Sequence, residues 1–236
     1  MNNLKVKIYA DGADINEMIK MDNENFVTGF TTNPTLMSRL GITDYLGFAS
    51  DVLSKINNKS ISFEVFSDDI DDMYRQALIL RDLGENVWVK IPVTNTKSVY
   101  TYDLINKLSS EGVKINATAL FTKDHIKNVY DSLDKNVNSI ISIFAGRIAN
   151  AGIDPEPTMK FASDLTKDYE HIETLWASSR EVFNVMQAER TNTDIITLPF
   201  SLIKAYKKEV GKDLDEFSLE TVKMFYNDAK ESGFSL

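Results

Sequence analysis

Short runs of β-branched and aromatic residues recur roughly every 20 to 30 positions, with helix-like spacing of apolar residues between them. They predict strands near Lys5–Ala10, Phe26–Phe30, Ile61–Phe66, Asn86–Ile91, Val113–Thr118, Ser139–Ile143, Ile172–Ala177 and Asp194–Thr197. Ser67 or Asp68 is placed to cap a helix carrying Ile70, Met73, Tyr74, Ala77 and Leu80 on one face, and Gly84 ends it. Ile126, Val129, Tyr130 and Leu133 repeat that period, and a terminal helix shows Leu219, Val222, Phe225 and Ala229. No Pro/Gly/Ser linker, low-complexity tract or break in composition divides the chain. The pattern predicts a single α/β domain over residues 1–236, a (β/α)8 TIM barrel with an extra C-terminal helix. A doubly wound open sheet, the alternative, ordinarily carries a glycine-rich phosphate loop after its first strand, and Asp11-Gly12-Ala13-Asp14 is not one.

Composition narrows the chemistry. A net charge of −9 argues against nucleic acid and anionic membrane as partners, because both are bound by cationic surface. The chain lacks cysteine, which removes disulfides, thiolate metal sites and a cysteine nucleophile. Of the two histidines, His125 falls in the first turn of a predicted helix and His171 at the start of a predicted strand. Neither has a carboxylate or second histidine at ligand spacing, so no metal is expected. No run of about 18 apolar residues occurs, and the N-terminus shows no cationic stretch leading into an apolar one. A soluble, cytoplasmic protein is expected.

Barrel strands alternate their side chains between interior and helix layer, and function gathers at their C-terminal ends. In Asn86-Val87-Trp88-Val89-Lys90-Ile91-Pro92, the three aliphatic residues share the outer face, so Trp88 and Lys90 point inward. Desolvation disfavours the charged form of an inward amine, which is what a nucleophilic lysine requires. The same alternation sends Glu64 inward and puts Asn116 and Thr118 on one face of the fifth strand. The first strand runs into Asp11 and the second into Thr31-Thr32-Asn33-Pro34. The later strands are followed by Ser142-Ile143-Phe144-Ala145-Gly146-Arg147 and Ala177-Ser178-Ser179-Arg180. Each places an arginine and a serine where they can bind a phosphate.

These segments, from Asp11 to about Pro199 and in register with the predicted strands, together resemble the transaldolase/fructose-6-phosphate aldolase family. The resemblance implies a Schiff-base (class I) enzyme with no cofactor, acting on small sugar phosphates. Lys90 would attack the ketose carbonyl, Asp11 would serve as acid/base, and Glu64 with Thr118 would hold a catalytic water. Asn33, Asn116 and Ser142 would bind substrate hydroxyls, with Phe144 and Trp88 lining the same cavity. Arg147, Ser178 and Arg180 would hold the phosphate.

Glu64, Ser142 and Phe144 match the transaldolase branch, whereas fructose-6-phosphate aldolases typically carry glutamine and tyrosine at the first and last of these positions. Phenylalanine cannot hydrogen-bond the catalytic water or assist protonation of the enamine. Transfer of a dihydroxyacetone unit from fructose 6-phosphate or sedoheptulose 7-phosphate to erythrose 4-phosphate or glyceraldehyde 3-phosphate is therefore expected. The alternatives are an aldolase releasing free dihydroxyacetone and a non-catalytic sugar-phosphate-binding barrel. Gly12 and Ser179 depart from the family pattern. Short members assemble into rings, so a homo-oligomer is expected. The apolar stripe Leu219, Val222 and Phe225 suits either a neighbour or the chain's own barrel.

Overall fold

The structure, a computed structural model, describes residues 4–235. Its first half runs β1 (Lys7–Asp11), α1 (Ile15–Asp22), β2 (Val27–Thr31), α2 (Pro34–Arg39), α3 (Tyr45–Lys55), β3 (Ser60–Glu64), α4 (Ile70–Arg81), β4 (Val87–Pro92) and α5 (Tyr102–Ser110). The second half runs β5 (Ile115–Leu120), α6 (Lys123–Ser132), β6 (Ser139–Ile143), α7 (Ala145–Asn150), α8 (Glu156–Thr166), β7 (Ile172–Trp176), α9 (Asn184–Arg190), β8 (Ile195–Pro199), α10 (Phe200–Glu209) and α11 (Leu214–Glu231). Every strand pairs in parallel with its neighbours in chain order, and β8 pairs back to β1. The barrel is closed, as the strand spacing predicts.

Two apolar clusters hold it together. The larger lies between strands and helices and includes Phe30, Phe63, Val89, Ile91, Ile143 and Trp176. The smaller fills the barrel interior with Tyr9, Ile140, Leu175, Ala177 and Ile195, against which Trp88 and Phe144 pack. Strand alternation thus puts Val89 and Ile91 outside and Trp88 inside, as read from sequence.

Two local readings need correction. The N-cap of α4 is Asp69, whose side chain accepts from the Asp72 amide at 2.9 Å; Ser67 instead accepts from the Asp69 amide. Strand β5 runs to Leu120 rather than stopping at Thr118, because its pairing with β6 shifts register between Ala117 and Leu120. Ala119 takes a positive φ of 60° at that irregularity. The chain between β2 and β3, for which no helix is predicted, forms α2 and α3, with Asp44 capping the second.

Helix α11 carries no buried residue, and Phe225 is 62% exposed. Its apolar stripe therefore does not pack on the chain's own barrel.

Candidate active site

A cavity of about 440 Å³ opens at the C-terminal ends of the strands. Asp11, Asn33, Glu64, Lys90, Thr118, Ser142, Phe144, Arg147, Ser178 and Arg180 all line it. Ten of the twelve residues singled out from sequence are thus brought to one place.

Lys90 comes from β4 and is 6% exposed. Its Nζ donates to the Thr32 carbonyl at 2.8 Å and lies 2.8 Å from Glu64 Oε2. The register explains the second contact, since Glu64 and Lys90 are Cα partners on adjacent strands. An amine this buried requires such partners.

Glu64 is itself fixed from outside the barrel. Beyond Ser62, β3 has run out of paired residues on its β2 side. The Tyr45 hydroxyl, from the start of α3, takes the place of the missing strand: it accepts from the Glu64 amide at 2.9 Å and donates to the Glu64 carbonyl at 2.8 Å. Burial and the nearby Glu64 charge keep that phenol above its ordinary range, despite its bond to the Glu64 backbone. It is therefore a neutral donor at physiological pH.

Asp11 ends β1 and accepts from Thr31 Oγ1 at 2.8 Å, which in turn meets Thr197 Oγ1 at 2.6 Å. Burial pushes the Asp11 carboxyl above the usual carboxylate range. The Lys90 charge and the Thr31 bond draw it back, and Glu64 pushes it up again. A carboxyl tuned this way takes up and holds a proton more readily than an exposed one.

Thr118 lines the cavity, and its buried Oγ1 has no hydrogen-bond partner among the described residues. Buried hydroxyls are ordinarily satisfied, so this one stands out in the lining of the cavity. Asn33 caps α2 by accepting from the Leu36 amide at 3.0 Å. That occupies its carbonyl oxygen and leaves the amide hydrogens for other partners.

Two residues fall elsewhere. Trp88 sits two positions before Lys90, about 6–7 Å lower along the strand. It packs in the interior cluster, with Lys114 Nζ 5.0 Å from its ring centroid. Its bulk fills the barrel instead of lining the cavity. Asn116 is fully buried outside the cavity lining, donating to Ser62 Oγ at 3.0 Å and accepting from Ser142 Oγ at 2.7 Å. It orients Ser142, which does line the cavity.

The arginine side is built on close backbone approach. A Cβ on Gly146 would stand 1.7 Å from the Ser178 carbonyl oxygen, so only glycine lets the loop after β6 meet the loop after β7. Ser178 holds φ at 64°. Asn184 accepts from the Arg180 amide at 2.8 Å, and Ser179 donates to the Thr197 carbonyl at 2.8 Å. The serine at 179 is thus a buried anchor for this loop. Gly12 is explained similarly, because a side chain there would strike the Phe200 ring.

Sequence reading brought Thr31 to this end of the barrel without a role, and missed Thr197 and Arg39 as cavity residues and Tyr45 behind them. Both histidines lie off the site: His125 Nδ1 accepts from the Phe121 amide at 3.4 Å, and His171 pairs with Asn138 at the surface. Among the described residues no three histidine or carboxylate groups stand together as metal ligands. Among them, too, no helix is long and apolar enough to cross a membrane.

The family model described as transaldolase/fructose-6-phosphate aldolase matches residues 8–236. The chain is 32% identical over 196 residues to a "Probable transaldolase" of Nitrosopumilus maritimus, covering 82% of this chain and 84% of that protein. It is likewise 32% identical over 213 residues to a "Probable transaldolase" of Thermoplasma volcanium, covering 88% and 91%. Among solved structures, KGPDC from Streptococcus mutans aligns with a TM-score of 0.55 at 11% identity. That match covers 88% of this chain and 98% of that one, a likeness of fold alone.

Proposed function

Because the chain belongs to the transaldolase/fructose-6-phosphate aldolase family, we propose that it transfers a dihydroxyacetone unit between sugar phosphates through a Schiff base on Lys90. The observation that carries this reading is the buried Lys90 amine, flanked by Glu64 and sharing one cavity with Asp11, Arg147 and Arg180. A binding protein has no use for an amine, an acid and a tuned carboxyl at the same point.

The steps follow from the chemistry of the groups. The Lys90 amine, its proton passed to a neighbouring carboxylate, adds to the C2 carbonyl of a ketose phosphate, giving a carbinolamine. Glu64, with a water held at the Thr118 hydroxyl, moves the protons that let this lose water to an iminium. Asp11 takes the proton of the C4 hydroxyl. The C3–C4 bonding pair then flows into the iminium, leaving an enamine on Lys90 and releasing an aldose phosphate. An incoming aldehyde is attacked by the enamine carbon, Asp11 returns the proton to the new hydroxyl, and water frees the product. Arg147, Ser178 and Arg180 bind the phosphate, and Asn33 and Ser142 bind the hydroxyls of the three-carbon unit. Phe144 offers the enamine no proton, which supports transfer over free release of dihydroxyacetone.

The test is reduction with borohydride in the presence of fructose 6-phosphate, followed by peptide mass. A dihydroxyacetone-derived adduct on Lys90, absent in Lys90→Met, is expected. An undiminished adduct in that variant, or none in the native chain, overturns the reading. Helix α11 supports a further element of the proposal, a homo-oligomer in which this uncovered apolar face meets a neighbouring copy. Light scattering should then give a mass above one chain, reduced by Leu219→Glu with Phe225→Glu.

A further inference from the structure

Two threonines of the cavity lining, Thr31 and Thr197, take no part in the steps above. They come from β2 and β8, the strands that flank β1 in the closed barrel. Thr31 is the Cα partner of Asp11, and Thr197 is the partner of Tyr9, two residues before Asp11 on the same strand. Both threonines are buried, and their hydroxyls meet at 2.6 Å, so the pair spans β1.

Proton counting gives this chain a direction. Each hydroxyl has one proton to donate, and an ionised carboxylate only accepts. Thr31 Oγ1 stands 2.8 Å from Asp11 Oδ1, so its proton goes to the carboxylate. The 2.6 Å contact is then a donation from Thr197 to Thr31. With that donor on its oxygen, Thr31 cannot swing its own proton back without setting two protons against each other. Two threonines that merely satisfied one another would leave one proton without an acceptor; here Asp11 is that acceptor.

We infer that Thr197 is a positioning residue for Asp11, acting through Thr31: the pair holds Oδ1 of the carboxylate and leaves Oδ2 to take the proton of the C4 hydroxyl. This inference rests on the acid/base reading of Asp11 given above. The Thr31 bond also opposes the burial that raises the proton affinity of Asp11, which keeps the group a base until the C3–C4 bond breaks. The Thr197 carbonyl has a separate task, accepting from Ser179 in the loop that carries Ser178 and Arg180. A side-chain change at 197 leaves that bond in place, so effects on Asp11 separate from effects on phosphate binding.

Lys90 from β4, Glu64 from β3 and Thr31 from β2 act on the Asp11 carboxyl, with Arg39, Arg147 and Arg180 lining the same cavity. The threonine variants alter none of these charges. The experiment measures kcat, KM and the pH dependence of kcat/KM for fructose 6-phosphate with glyceraldehyde 3-phosphate as acceptor. It uses the full chain, Thr31→Val, Thr197→Val, the double variant and Thr197→Ser. An infrared difference titration of the carboxyl band that Asp11→Asn removes reads Asp11 directly, without turnover.

Thr31→Val should move the acidic limb and the midpoint of the band up by about one pH unit. Thr197→Val should move both the same way by less, lower kcat several-fold and leave KM within about twofold. The double variant should match Thr31→Val alone, because Thr197 reaches Asp11 only through Thr31. Thr197→Ser keeps the hydroxyl and should restore the limb; if Thr197→Val does not fold, Thr197→Ala removes the same hydroxyl. Additive shifts in the double variant would overturn the serial route. A raised KM with the limb unmoved would make Thr197 a substrate contact, and a lower melting temperature with the limb unmoved would make it structural; either overturns the inference. Borohydride trapping on Lys90, run in parallel, separates the two readings. Turnover and an adduct with an unmoved Asp11 midpoint sink this inference alone, and a threonine-dependent midpoint in a chain that forms no adduct sinks the transferase chemistry alone.

Discussion

Lys90 and Glu64 face each other across adjacent strands, Cα partner to Cα partner, with amine and carboxylate 2.8 Å apart. Parallel-strand register brings the two residues opposite each other, and the Tyr45 hydroxyl at the start of α3 holds the backbone of Glu64 in that position. The same register gives Lys90 its other neighbour, Asn116, one strand on.

Asp11 has a signature in stability as well as in turnover. Its carboxyl is raised chiefly by burial, so the folded chain holds that proton more tightly than the unfolded chain. Stability from this group therefore falls as pH rises from the unfolded value of about 4 until Asp11 ionises in the folded state. Asp11→Asn should lose less stability than the native chain between pH 4 and 7, while its transfer rate drops by about 10²-fold or more. Denaturant titrations across that range, with matched kinetics, check both; identical slopes would mean Asp11 titrates normally.

Thr118→Val keeps the β-branched shape and removes a hydroxyl that has no hydrogen-bond partner among the described residues. Its melting temperature should hold or rise, because an unpartnered buried polar atom contributes an unfavourable term of about 1–3 kcal/mol. Its kcat should fall about tenfold or more through slower carbinolamine dehydration. A marked drop in melting temperature would show the hydroxyl to be structural.

Phe144→Tyr puts a phenol hydroxyl into the cavity, at a ring whose face lies 5.5 Å from the Arg147 guanidinium. Aldehyde release from fructose 6-phosphate, measured without acceptor, should increase several-fold, and the ratio of transfer to release should fall. An unchanged ratio would take the branch argument away from this position.

Gly146→Ala drives a methyl group into the Ser178 carbonyl. The expected loss is about 1–3 kcal/mol, as for other overpacked sites. Retreat of the Ser178 loop should raise KM for phosphorylated aldehydes far more than for unphosphorylated glyceraldehyde. Equal effects on both would mean that the loop does not hold the phosphate.

The strand-end chemistry was legible because barrel strands alternate strictly, so Glu64, Lys90 and Thr118 could be placed without knowing any loop. The same rule misled at Trp88, since alternation gives the face but not the depth, and a residue two positions down lies in a different layer. Asn116 shows the next limit: its direction was right, yet its amide is occupied by Ser62 and Ser142. Arg39 and Tyr45 sit on helices α2 and α3, whose placement across the barrel mouth depends on tertiary packing that periodicity does not encode. The apolar stripe of α11 was visible, but not what it faces, because helical spacing reports a face without naming its partner.

Where Tyr45 stands in for a strand, the upper tip of β3 is latched by one side chain. Rotation of that ring frees the amide and carbonyl of Glu64 while the pairing of Phe30 with Ile61 and of Thr31 with Ser62 stays shut below. That end of the strand should therefore open independently of barrel unfolding. Amide exchange at Glu64 should run ahead of that at Phe63, whose outward side chain is locked in the core.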